Sequence, residues 1–209
     1  MSGRLVGIRT IEQIKIAIHY CSFVRPTMSA PATYRFCPQC ATSLAPLARD
    51  EDGGLVTRLR CTACEFTHWN NPTPVLAAVI ECTDQDGRVL LARNAAWSGR
   101  MFALITGFME AGETPEEGIT REVLEETALH IDSLQLLGVW DFQRMNQVIV
   151  AYGVQAKGDI RLSPELAEYK LMVPESIVCW PGGTGHAMAE WQRRRGITPR
   201  FMELPKQPT

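Results

Sequence analysis

No stretch of the 209 residues stays apolar for the roughly 20 positions that a helix needs to cross a bilayer. The longest candidate, Val75 to Ile80, is strand-sized. Charge of one sign is also lacking. The 21 basic residues stand against 23 acidic ones, a formal net charge of −2, too little to hold a nucleic-acid backbone by counterion release. Internal repeats and low-complexity tracts are absent, which excludes solenoids and repeat arrays. A signal-peptide core is missing as well: Ile8 to Ile18 is apolar but broken by Glu12, Gln13 and Lys15, leaving at most a short anchoring helix. The seven cysteines do not form an even disulfide set, and four of them fall into two close pairs, which argues for a reducing compartment and a cytoplasmic protein. Met28, just ahead of the first recognisable module, offers a second possible start, so residues 1–33 are read as an uncertain or non-native extension.

What is present suffices for one ordinary domain and a small appended module, since 45% of the residues are hydrophobic. The cysteine-bearing, turn-rich part occupies 34–69, and Asn70-Asn71-Pro72-Thr73-Pro74 reads as a stiff connector opening a second unit, 70–200, followed by a tail, 201–209. Val75–Cys82 and Val89–Ala92 are apolar runs whose Asp86-Gly87 step favours a hairpin. Ala103–Thr106, Leu134–Trp140 and Gln147–Val154 also read as strands. Thr114, Pro115 and Glu117 mark the start of a helix expected over Pro115–Thr127. A last helix is expected over His186–Arg195, with the run Arg193-Arg194-Arg195 near its end. This order predicts a sheet covered by helices on both sides.

The segment with most chemistry lies between Gly107 and Leu129. Glu122, Glu125 and Glu126 are spaced i, i+3, i+4, which places them on one helix face with Cβ atoms about 5–6 Å apart. Taken alone, such a face also reads as a solvated surface with Arg121 pairing to Glu117 or Glu125. Otherwise its self-repulsion is relieved only by cations, and a hard divalent ion such as magnesium suits carboxylate oxygens and phosphates together.

The pattern is longer than a charge stripe. Gly107, five residues, Glu113, seven residues, then Arg121-Glu122-Val123-Leu124-Glu125-Glu126-Thr127-Ala128-Leu129 closely resembles the Nudix box, with Ala128 where the family has glycine. That glycine would end the helix in a left-handed conformation, and alanine there costs about 1 kcal/mol. The resemblance implies an α/β (α+β) fold, an α/β/α sandwich around a mixed sheet, and hydrolysis of a diphosphate bond in a nucleotide conjugate. It implies magnesium or manganese bound by Glu122, Glu125 and Glu126, with the carbonyl of Gly107 completing the shell. Arg121 would orient a carboxylate and Glu113 would support the loop. Enzymes of this kind often add a later acidic residue as ligand or base; Glu168 is the expected one and Glu165 the second choice.

Cys37-Pro38-Gln39-Cys40 and Cys61-Thr62-Ala63-Cys64, twenty residues apart, have the spacing of a zinc ribbon, a closed four-thiolate structural site. Two disulfides are the competing reading. His68 is not expected to be a ligand, and Cys21, Cys82 and Cys179 read as small apolar residues. A ribbon followed by a Nudix box resembles the NADH pyrophosphatase group and short zinc-ribbon enzymes acting on FAD or ADP-ribose. The NADH group carries a Ser-Gln-Pro-Trp signature after the box, whereas this chain has Val139-Trp140-Asp141-Phe142-Gln143. The broader class of nucleoside diphosphate conjugates is therefore expected, with NADH pyrophosphatase proper as one alternative. Another is a non-catalytic ligand sensor whose ribbon contacts nucleic acid or protein. Trp140 and Phe142 are candidates for stacking on a base. Pro181-Gly182-Gly183-Thr184-Gly185 lacks the lysine of a phosphate loop and reads as a turn. The expected partner is a small nucleotide substrate, with neither membrane nor nucleic acid; assembly is left open between monomer and homodimer.

Overall fold

The computed structural model describes residues 34–203, so Cys21, Met28 and the apolar Ile8–Ile18 stretch lie outside the described residues. The first unit is a three-stranded antiparallel sheet, β1 (Leu44–Glu51), β2 (Gly54–Cys61) and β3 (Thr67–His68). Too small to bury a core by itself, it is tied by polar groups. Glu51 pairs with Arg58 at 3.0 Å and also with the buried Arg60, whose Nη1 donates to Thr67 Oγ1 at 2.7 Å.

A six-stranded mixed sheet follows. Its strands are β4 (Thr73–Cys82), β5 (Arg88–Asn94), β6 (Ile105–Phe108), then, after α1 (Pro115–Thr127), β7 (His130–Phe142), β8 (Gln147–Lys157) and β9 (Leu166–Met172). They run in the order β7-β8-β4-β5-β9 with β6 also on β4; β4 and β8 are parallel and the remaining pairs antiparallel. A short parallel pair, β10 (Val178–Cys179) and β11 (Arg200–Phe201), flanks α2 (Thr184–Arg194).

The apolar run in β4 is continuous because this central strand is covered on both faces. Leu76, Ala78 and Ile80 pack with Ile119, Val123 and Leu129 at the α1 layer, whereas Ala77 and Val79 pack with Ala187, Met188 and Trp191 of α2. The result is the α/β/α sandwich with a mixed sheet that the sequence led us to expect. The β4–β5 hairpin turns where Asp86 and Gly87 both take positive φ (55° and 67°), as the Asp-Gly step requires.

Boundaries moved where pairing partners decide them. Ala103 makes only an isolated bridge to Ala92, and β6 begins at Ile105, where β4 offers a full ladder. The last helix starts at Thr184, two residues earlier than expected. Its arginine run is structural. Arg194 donates to the Leu136 and Leu137 carbonyls of β7 (2.9 and 2.7 Å), Arg193 pairs with Glu190, and Arg195 pairs with Glu81 while stacking 3.9 Å over Trp191. Among the described residues no helix is long and apolar enough to cross a membrane.

Candidate active site and metal centre

Helix α1 is fixed at both ends before its carboxylates are considered. Thr114 Oγ1 accepts the Glu117 N–H at 3.2 Å and Glu117 Oε2 accepts the Thr114 N–H at 2.8 Å, a complete capping box followed by Pro115. The buried Tyr152 of β8 donates its hydroxyl to Glu116 at 2.7 Å. Gly118 allows close approach to the sheet, since a Cβ there would lie 2.4 Å from Leu76. At the far end Ala128 takes the left-handed conformation (φ 59°). The free carbonyls of Glu126 and Thr127 accept the N–H groups of Ser163 and Arg161 at 3.0 and 2.9 Å. The segment between β8 and β9 is thereby wrapped around the end of α1, which brings Glu165 to the carboxylates.

Glu122 lies against Gly107 so closely that a Cβ at 107 would sit 1.8 Å from its carboxyl carbon. Only glycine permits this arrangement. Glu126 is 8% exposed, and burial, together with the charges of Glu122, Glu165 and Glu125, pushes its carboxyl up to about 7. Burial likewise raises Glu122, against the opposing pull of Arg121, with Glu125 and Glu165 adding to the rise. Arg121 is the organiser. It donates to both oxygens of Glu113 (3.1 and 3.0 Å), to Glu122 (2.8 Å), to Glu125 (3.2 Å) and to the Phe108 carbonyl (3.3 Å). Glu113 also accepts the Glu110 N–H at 2.6 Å, and its carboxyl is lowered chiefly by Arg121. One cation thus faces Glu113, Glu122 and Glu125, and among the described residues none pairs with Glu126. This set of hard, partly buried, mutually repelling oxygens fits a divalent cation.

Glu168, expected beside these groups, is instead held on β9 in an ion pair with Arg93 of β5 at 2.7 Å. The charge that acts on Glu122 and Glu126 is that of Glu165. A register shift between Arg93 and Asn94 separates the two positions. Trp140 and Phe142 are partly buried against the core on the α2 side of the sheet; Trp140 folds back over Gly138 and Phe142 packs against Gly183. Two exposed aromatics were not anticipated. Phe108 follows Gly107 directly and is 58% exposed; Trp97 lies in the loop after β5. Nothing in their spacing sets them apart, because exposure of an aromatic is decided by tertiary packing.

The four knuckle cysteines converge. Cys37 and Cys64 sulfurs are 3.4 Å apart, Cys40 and Cys61 3.5 Å, and all four lie within 4.8 Å of one another. Among the described residues no other His, Cys, Asp or Glu group gathers so tightly, so the carboxylates stand further apart than the thiols do. The knuckles repeat each other: Gln39 and Ala63 N–H groups point at the Cys37 and Cys61 sulfurs at 3.4 Å, and Ala41 and Glu65 take positive φ after the second cysteine. Hydrogen bonds with Thr42, then with neighbouring thiols, lower Cys40 to about 6, whereas Cys64, against the pull of the Phe66 backbone, is raised to about 12 by hydrogen bonds with Cys40 and Cys37. His68 lies against Tyr34, with ring centres 4.4 Å apart and planes tilted by 42°. Cys82 and Cys179 are fully buried, and burial pushes both thiols up to about 11.

Residues 72–200 match the family described as the NUDIX domain. Curated relatives include the NAD-capped RNA hydrolase NudC of Vibrio parahaemolyticus, 28% identical over 118 residues, 56% of this chain and 42% of that protein. The NudC of Mycobacterium tuberculosis is 41% identical over 90 residues, 41% of this chain and 28% of the relative. The matched part thus spans less than half the length of these curated relatives. Among solved structures, a NUDIX hydrolase from Nitrosomonas europaea superposes with a TM-score of 0.63 at 25% identity, covering 81% of this chain and 97% of that one.

Proposed function

Because this chain belongs to the Nudix family, we propose that it is a pyrophosphohydrolase that cleaves the diphosphate of a nucleoside diphosphate conjugate, such as FAD, ADP-ribose or NADH, and releases a nucleoside monophosphate. The observation that carries this reading is the mutual elevation of Glu122 and Glu126, with Glu165 reaching them from a second segment, around a glycine that alone admits Glu122. Carboxylates arranged so repel an anionic diphosphate unless cations stand between them. Magnesium or manganese at Glu122, Glu125 and Glu126 would neutralise the diphosphate, polarise its phosphoryl oxygens and acidify attacking water.

Around that chemistry the chain's own residues divide the work. Arg121 holds Glu122 and Glu125 in place, Glu113 holds Arg121, and Gly107, lacking a side chain, leaves room for the Glu122 carboxyl. Glu165 is our candidate for the further acidic group, in preference to Glu168, which Arg93 engages. As a carboxylate carried by the loop, it would accept the proton of the attacking water.

We assign zinc to the four thiols. Zinc–sulfur bonds of about 2.3 Å imply sulfur–sulfur edges of about 3.8 Å in a tetrahedron, close to the separations found. With four sulfurs there is no open position, so its role is structural. Paired zinc-ligand spacing of four cysteines, with Cys82 and Cys179 buried as thiols, supports a reducing compartment, the cytoplasm.

The test is a panel of FAD, ADP-ribose, NADH and NAD-capped RNA, each with magnesium and with manganese, and with product identification. The expected outcome is metal-dependent release of a nucleoside monophosphate. Metal-dependent binding without turnover of any diphosphate would support a ligand sensor instead.

A further inference from the structure

The carboxylate set accounts for the grip on a diphosphate but not for the rest of a conjugate. At the end of β5 the chain turns sharply: Asn94 Oδ1 accepts the Ala96 N–H at 2.9 Å and the Asn94 carbonyl accepts the Trp97 N–H at 3.1 Å. The Ala95 N–H donates to the Glu165 carbonyl at 2.7 Å. This turn is therefore pinned to the segment whose Ser163 N–H donates to the Glu126 carbonyl at 3.0 Å. Trp97 follows Ala95 by two residues, at most about 7 Å of chain.

Its indole is 41% exposed and, among the described residues, makes no ring stacking or cation contact. Five other aromatics of the described chain are already engaged. Trp140, Phe142 and Trp180 pack against the core, Phe102 carries the Lys170 ammonium at 4.1 Å, and Trp69 carries the Arg58 guanidinium at 5.0 Å. Trp97 combines an open ring face with a backbone turn held by hydrogen bonds to Asn94 and Glu165; Phe108, on β6 beside Gly107, is a second exposed ring next to the acidic site.

We propose that Trp97 contacts substrate, stacking on a planar heteroaromatic ring of the conjugate and so favouring dinucleotides, with a ring on each side of the diphosphate, over conjugates of a nucleotide with a sugar. The proposal rests on the hydrolase reading for its setting. Stacking energies in single-stranded nucleic-acid complexes correspond to about tenfold or more in affinity.

Trp97→Ala and Trp97→Phe are compared with the wild type in kcat and KM for NADH and ADP-ribose, and in calorimetric binding of both compounds with calcium in place of magnesium. Trp97→Ala should raise KM and Kd for NADH about tenfold with kcat little changed, shift ADP-ribose much less, and be largely rescued by Trp97→Phe. Equal shifts for the two compounds, no shift, or a loss confined to kcat would overturn the proposal. Absence of turnover with the NADH selectivity intact in calorimetry would defeat the hydrolase reading and leave the role of Trp97 standing. Failure of the wild type to bind either compound would end both.

Discussion

Glu126 shows how burial changes the chemistry open to a single residue type. On a solvated helix its repulsion by Glu122 would amount to a few tenths of a kcal/mol. Here it is 8% exposed and its carboxyl rises from the ordinary 4.5 to about 7. A carboxyl raised in the folded state binds more protons there than in the unfolded chain between those two values. Metal-free protein should therefore lose stability as pH rises from about 4.5 to 7, by up to roughly 3 kcal/mol, and level off above. Melting curves across that range check this; magnesium should remove the slope, and so should Glu126→Gln. The same variant, like Glu125→Gln, should lower turnover about a hundredfold or more in steady-state assays. Its melting temperature should be unchanged or raised in metal-free buffer at pH 8. A variant with near-normal turnover would take that residue out of the site.

At the scale of the element, α1 is the part whose limits sequence reasoning placed at both ends. Its signals are local: a capping box and Pro115 at the start, and a position suited to glycine at the end. The structure makes Ala128 accept the left-handed conformation (φ 59°). Ala128→Gly should therefore raise stability by about 1 kcal/mol, measurable by denaturant titration, with no loss of activity. Thr114→Ala should lower it by about 1 kcal/mol. Glu117 is held below the usual carboxylate range by the Thr114 backbone and hydroxyl. That contribution is present above about 4.5 and fades as pH falls below it, so wild type and Glu117→Gln should converge in melting temperature in acid. By contrast, β6 and α2 began elsewhere than expected. Their first residues are set by where β4 offers a partner and by the backbone of Gly183, and neither is written in a short window.

Across the whole molecule the ribbon keeps a sheet of its own, and the connector joins it to the larger sheet. Asn146, in the turn between β7 and β8, donates its side-chain amide to Asn70 and Asn71, and its carbonyl accepts the Thr73 N–H. Because the ribbon has little apolar burial, its fold should depend on its metal. Cys61→Ser should lose about one zinc per chain by metal analysis and lower the melting temperature. Full zinc content in that variant would contradict the four-thiolate site.

The box glutamates, the cysteine pairs and the helix caps were legible in the sequence because each depends on spacing along one or two turns of chain. Tertiary structure alone decided that the segment carrying Glu165 wraps the end of α1 while Arg93 engages Glu168, that Trp140 and Phe142 pack against the core, and that Trp97 stays open. Those outcomes follow from a register shift between β5 and β9 and from which sheet face α2 covers. Contacts between segments far apart in the chain leave no periodic trace in either one.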